Sequence, residues 1–158
     1  MPKLRMRAEV FSPQNVKVIN YSGYHPSKTL KIIPSLIRSV FRITSTDFYE
    51  DEIKWDVSGD PIEFFGQWRG KDEKDDRTLV WIKVKVDGKQ NSKDKMGTVT
   101  IYIEPFMITE FPYSNFLDKS LVKTYSYFYY GNIRRDYIEE ELNLLKKFED
   151  QLREQLGI

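Results

Sequence analysis

The 158 residues carry 25 Lys and Arg against 24 Asp and Glu. The resulting net charge of +1 excludes a global field that would draw the chain to nucleic acid or to an anionic membrane. Apolar residues make up 40% and charged residues 31%, the balance of one folded domain over 1–158 rather than of a disordered chain.

No Cys is present, which removes disulfides and thiolate chemistry; with a single His, no zinc-type cluster can form and no metal or cofactor is expected. Aromatics are the outlier, with 10 Phe, 10 Tyr and 3 Trp. They suit either a bulky β-rich core or an aromatic-lined cavity or contact surface. Met1 to Val10 lacks the continuous apolar stretch of a signal peptide. No run reaches the roughly 20 apolar residues of a membrane span, so a cytoplasmic chain is expected.

Leu4, Met6, Ala8 and Val10 alternate with Lys3, Arg5, Arg7 and Glu9, the two-residue period of a half-buried strand. Val16, Val18 and Tyr21 continue in strand fashion to Ser22-Gly23. Pro26 suits the first position of a helix, and Leu30, Ile33, Ile37 and Val40/Phe41 trace a helical stripe. Pro34 interrupts it, which predicts two short helices, 26–33 and 34–42, meeting at a kink.

Four strands are predicted next, around Ile53–Val57, Ile62–Arg69, Val80–Val86 and Val99–Ile103. Gly70–Arg77 and Asp87–Gly97 read as polar hairpin loops, and Pro105 as the end of the last strand. Residues 113–130 admit two readings. Thr124–Tyr130 has strong β-propensity, yet Leu117, Leu121, Tyr125 and Phe128 fall at helical spacing before Gly131-Asn132; the helix is preferred. A final helix from about Ile133 to Leu156 carries the stripe Ile138, Leu142, Leu145, Phe148, Leu152 and Leu156. Asp136 and Glu139 would form a capping box if the helix restarts there.

Strand, two short helices, an antiparallel meander and a long C-terminal helix: this order resembles the helix-grip fold of the START/polyketide-cyclase-like (SRPBCC) superfamily. Gly66–Lys71 (GQWRGK), running through a charged turn into a valine-rich strand, is similar to uncharacterised microbial branches of it. The resemblance implies an α+β chain whose antiparallel sheet wraps around the C-terminal helix. It also implies an apolar ligand between sheet and helix in many members, cyclase or hydrolase chemistry in some, and adaptor roles in others. Such a fold does not select among these functions.

The residues themselves narrow the chemistry. Asp72, Glu73, Asp75 and Asp76 interleave with Lys71, Lys74 and Arg77 and lack a calcium-loop register, so they read as a solvated hairpin tip. No nucleophile elbow and no second His accompany the serines, and no catalytic residue is assigned. His25, just before Pro26, reads as a capping or surface residue. Lys83, Lys85, Lys89, Lys93 and Lys95 near Trp81 would suit single-stranded nucleic acid, but Asp87 and Asp94 dilute them, and no nucleic-acid partner is expected.

The expected function is therefore binding of a small apolar or amphipathic ligand. Trp55, Phe64, Trp68, Ile82 and Ile101 would line the concave sheet, with Tyr125, Phe128 and Tyr129 closing the cavity. Two alternatives stand beside it: an adaptor, homodimeric through exposed aromatics of 106–116 and 125–130, and an enzyme of the same superfamily. Whether the aromatics point inward around a void or outward in a patch discriminates the first two.

Overall fold

Alternating apolar and polar residues set the sheet, and the computed structural model, which describes residues 2–128 and 130–158, builds six antiparallel strands from them. They are β1 (Lys3–Glu9), β2 (Lys17–Tyr24), β3 (Phe48–Asp56), β4 (Ile62–Glu73), β5 (Thr78–Gln90) and β6 (Met96–Pro112). Strand order is β1-β6-β5-β4-β3, with β2 also paired to β6. Helices α1 (Thr29–Phe41), α2 (Phe116–Phe128) and α3 (Gly131–Leu156) complete the α+β fold, together with 3-10 turns at Pro26–Lys28 and Ser45–Asp47.

β6 is 17 residues long because it serves two partners along one edge and β5 along the other. Lys17 to Tyr24 of β2 pair with Ile103 to Met96, and Lys3 to Glu9 of β1 pair with Pro112 to Phe106. Pro105 therefore does not end the strand, contrary to the sequence expectation. It falls where one partner gives way to the next, a position where a missing N–H donor interrupts no ladder on that side. The two predicted hairpin loops are likewise shorter than expected. Lys71, Asp72 and Glu73 pair with Trp81, Val80 and Leu79, so the first turn spans only Lys74–Arg77. Asp87 to Gln90 pair with both β4 and β6, leaving Asn91–Lys95 as the second. Polar residues hold these positions because ladder bonds depend on backbone groups, not on side-chain polarity.

On the inner face, Phe64 and Trp68 of β4, the valines and Ile82 of β5, and Ile101 and Ile103 of β6 join one buried cluster. Against them pack Ile33, Leu36, Ile37, Val40 and Phe41 of α1 and Leu145, Phe148, Leu152 and Leu156 of α3, with Phe41 and Phe148 rings 5.9 Å apart. Each such side chain removed from water stabilises the fold by roughly 1.5–3 kcal/mol. That burial explains a second correction: α1 is one continuous helix through Pro34, not two. The proline forfeits a backbone bond, while five inward side chains hold the turns on either side of it together.

Cross-strand glycines make room for the rings. A Cβ on Gly66 would stand 2.5 Å from the Trp68 ring, and one on Gly88 would stand 2.3 Å from Phe64 Cζ and 2.7 Å from the Thr98 carbonyl. The outer face instead carries stacked cations and rings, with Arg69 5.0 Å from Tyr49 and 5.1 Å from Trp81, and Arg7 4.1 Å from Phe106. We expect Gly88→Ala to lose about 1–3 kcal/mol in urea unfolding through overpacking. Gly59→Ala, with nothing within 4 Å of the added carbon, should stay within about 0.5 kcal/mol of wild type. Equal losses at both positions would contradict this packing.

Candidate functional site

Of the eight residues expected to enclose a ligand, the seven described do not come together around one site. Phe64, Trp68, Ile82 and Ile101 are buried in the core cluster and touch its apolar neighbours. Trp55 shares their face and lies 6.1 Å from the Phe64 ring, but it sits on the edge strand β3 and is 48% exposed. Tyr125 and Phe128 belong to α2 and are exposed, and Tyr129 lies outside the described residues.

Helix α2 concentrates exposed apolar surface. Phe116, Leu117, Leu121, Tyr127 and Phe128 are 67–80% exposed and Tyr125 is 46% exposed, whereas Ser126 alone is a buried residue of this helix. Its start is well defined. The Asn115 Oδ1 accepts from the Asp118 N–H at 2.8 Å, and the Asp118 carboxylate accepts from the Ser114 N–H at 2.7 Å and hydroxyl at 3.2 Å. This reciprocal cap favours helix over strand for 116–128 despite the β-propensity of its aromatics. Further along, the Ser120 and Thr124 hydroxyls donate to carbonyls four residues back, at 3.2 and 3.0 Å. The Ser114-Asn115-x-x-Asp118 spacing was the legible signal for this start, and the stripe alone did not reveal it.

What mounts α2 on the body is a polar network at the joint before α3, built on the β4–β5 turn. The Asp75 carboxylate accepts from the Arg77 N–H at 2.7 Å and the Thr78 N–H at 2.8 Å, fixing the turn. Its other oxygen accepts from the hydroxyls of Tyr130 and, at 2.8 Å, Tyr137. The Thr78 hydroxyl lies 2.8 Å from the Tyr130 hydroxyl and 2.9 Å from that of Thr109, to which the Arg134 Nε donates at 3.0 Å. Edge-to-face rings add to it, with Phe111 5.3 Å from Tyr130 and 6.0 Å from Tyr125.

Deeper in, Glu141 is fully buried and paired with Lys74 at 2.7 Å, and Lys74 also reaches Asp72 at 3.0 Å. The sequence reading placed Leu142 on the inner face of α3 and left 141 outside. The structure reverses them: Leu142 is 38% exposed, because this part of α3 faces the charged turn rather than the apolar sheet. Asp136 and Glu139 are no capping box either, since α3 already runs from Gly131. The hairpin tip is largely solvated, with Glu73, Asp75, Asp76 and Arg77 exposed, while Asp72 and Lys74 are held in this cluster.

Electrostatics follow from burial. Removal from water, then the neighbouring Asp72 charge, push the Glu141 carboxyl up to about 8 despite Lys74. Burial alone would lower Lys74, but the hydrogen-bonded Glu141 carboxylate and Asp72 hold it above its ordinary range. Tyr130 is raised by burial and by donating to Asp75. Asp75 stays below the usual carboxylate range because its four donors outweigh partial burial. Charges this committed to one another hold architecture, although Lys74 and Asp75 also line the groove beside the β4–β5 turn. His25 is exposed in a left-handed turn, its N–H donating to the Lys95 carbonyl at 2.7 Å, with no side-chain cap.

Two grooves mark the surface, one of them bordering this network. One, of about 860 Å³, lies beside the β4–β5 turn and is lined by Leu79, Trp81 and Ile108 among charges of both signs. The other, of about 330 Å³, is lined by Lys83, Lys85, Gln67, Tyr102 and Glu104. Lys85 lies 4.6 Å from the Tyr102 ring. Among the described residues, no group of His, Asp and Glu is placed to hold a metal ion, and no helix is long and apolar enough to cross a membrane.

No protein-family model matches the chain, and none of the curated proteins does. Among solved structures, a protein of unknown function, SA2116 from Staphylococcus aureus, aligns over 97% of this chain and 95% of that chain. The identity is 9% and the TM-score 0.31, too slight a likeness to carry an argument about fold or function.

Two outcomes test the network. Tyr130→Phe removes the hydroxyl that bridges Asp75 and Thr78 and should lose about 1–3 kcal/mol in urea unfolding. Because the folded value of Glu141 lies above its ordinary one, the native chain binds the extra proton between about pH 4.5 and 8. Stability from this site therefore falls as pH rises through that window. Glu141→Gln should flatten that fall in melting temperature against pH; parallel curves for variant and wild type would refute the assignment.

Proposed function

We propose that the chain is a protein-interaction module of the helix-grip type, docking through α2. The observation that carries this reading is the α2 surface itself, where large apolar side chains point outward from a helix that buries little of itself against the body. Exposed apolar patches of such extent mark contact surfaces. The polar network favours the same reading, since it spends its charges on holding the α2–α3 joint at a fixed place on the sheet. A rigid mount lowers the ordering cost of association.

The container reading finds less support. Its inward members, Phe64, Trp68, Ile82 and Ile101, lie against α1 and α3 side chains and strand glycines, which is how a filled core is built. Its α2 members lie outside that core. Kinship with the START/polyketide-cyclase-like superfamily is consistent with the element order and leaves room for an adaptor.

A photo-crosslinking residue placed at Leu121 and, as control, at Lys83 tests the proposal in the cells that naturally make the chain. Discrete covalent adducts of defined mass should form from position 121 and not from 83. Absence of any adduct from 121 would refute docking through α2.

A further inference from the structure

We infer that the outer face of the sheet holds a binding site for a small phosphorylated polyol, centred on Lys83 and Lys85 of β5 and independent of the docking role of α2. Placement argues for it first. Helices α1 and α3 pack on the inner face, so the central strands turn their other face outward without a helix over it. On that face the groove of about 330 Å³ is lined from three adjacent strands. Gln67 and Tyr102 flank Lys85, and Glu104 lies across from Lys83. Asn15, from the segment before β2, completes the lining. Side chains carried on paired strands hold a site more precisely than loops do, and the volume is that of a small-ligand cleft.

Charge argues for it next. Among the described residues, every other Lys or Arg directed outward from the six strands has a carboxylate at ion-pair distance, from Lys3 and Arg5 with Glu110 to Lys89 with Glu63. Lys83 and Lys85 have none. Lys85 lies over the Tyr102 ring, and Lys83 is half-buried beside Glu104, whose carboxylate turns instead to Arg7 at 3.6 Å. Withdrawing an ammonium from water without a counter-charge is unfavourable, and an anion between the two lysines would offset that cost. Lysines guard exposed sheet edges against aggregation, but β5 is the middle strand of the sheet and has no free edge.

Chemistry names the ligand. Two residues apart on one strand face, the lysine Cα atoms stand about 7 Å from each other. Their flexible four-carbon stems let both ammonium groups reach one phosphate, for which lysine is a compact point-charge partner. The rest of the lining suits hydroxyls. The Gln67 and Asn15 amides and the Tyr102 hydroxyl both donate and accept, and the Glu104 carboxylate accepts from a hydroxyl while repelling a second anionic group. A phosphate monoester of a small polyol satisfies both halves of the groove.

The test is an amide NMR titration of the full chain with glycerol phosphate, inorganic phosphate and glycerol. Glycerol phosphate should give saturable shifts at the amides of Gln67, Lys83, Lys85 and Tyr102, inorganic phosphate should bind there more weakly, and glycerol should not bind. Lys83→Gln combined with Lys85→Gln should weaken binding about tenfold or more, the loss of two charge-assisted bonds. Lys89→Gln, whose cation is paired with Glu63, should bind as wild type does. If the double variant loses its folded spectrum, sodium chloride takes its place, and affinity in wild type should fall as salt is added. Absence of saturable shifts, undiminished binding in a folded double variant, salt-independent affinity, or glutarate binding as tightly as glycerol phosphate would overturn the inference. A thymidine oligonucleotide binding more tightly than glycerol phosphate would overturn the small-molecule assignment. None of these outcomes bears on crosslinking from position 121, so the docking role of α2 stands or falls separately.

Discussion

The Asp75 carboxylate is the interaction on which the rest of the arrangement turns. Its first oxygen closes the β4–β5 turn through two backbone N–H groups, and its second receives two tyrosine hydroxyls from the start of α3 and the joint before it. One side chain thus ties the tip of the β4–β5 hairpin to the helix that covers the sheet. Loss of a partner in such a group leaves buried hydroxyls without an acceptor, which costs more than the bond itself contributes. Glu141 with Lys74 and Asp72 repeats the tie one turn further along α3. Beyond that point Leu145, Phe148, Leu152 and Leu156 meet the apolar sheet directly, and Glu149 adds an ion pair with Lys17 of β2.

α3 therefore has two differently held halves. The C-terminal half rests mainly on hydrophobic burial, with Glu149 held below the usual carboxylate range by Lys17 and Arg153 despite partial burial. The N-terminal half holds Glu141 with a raised affinity for a proton and Asp75 with a lowered one, on opposite sides of neutrality. Charge on Glu141 weakens this half as pH rises, while Asp75 fails only in acid. The mount of α2 is firmest in mild acid, where Asp75 is still charged and Glu141 still holds its proton.

Strand periodicity made the meander legible, and its inward parity (Phe64, Trp68, Ile82, Ile101) came through as drawn. What periodicity does not carry is the identity of the neighbour. Pro105 looks like a strand end until β6 is seen to change partners there. Leu142 looks inward and Glu141 outward because a stripe averages over the whole helix, whereas the surface beneath α3 changes from charged turn to apolar sheet along its length. Trp55 shares parity with Phe64, yet β3 is an edge strand and parity alone cannot tell covered from uncovered. Pro34 was weighed by its local cost, and the five buried side chains of α1 outweigh it.

α2 shows the same limit in its sharpest form. Apolar residues at helical spacing imply a face that must be covered, and within one chain the usual cover is the core. Here the core is already closed: α1 and α3 occupy the inner face, and the network holds the α2–α3 joint at the rim of the sheet, where α2 packs against α3 and β1 and sets Tyr125 against Phe111 of β6. Turning the α2 stripe inward would require breaking the Asp75–Tyr130 contact and displacing α3 from side chains it buries completely. Both changes oppose folding, so the interactions that make the fold also keep the stripe on the outside of it. Any cover for it must accept an uncharged, aromatic-rich helix held at a fixed angle.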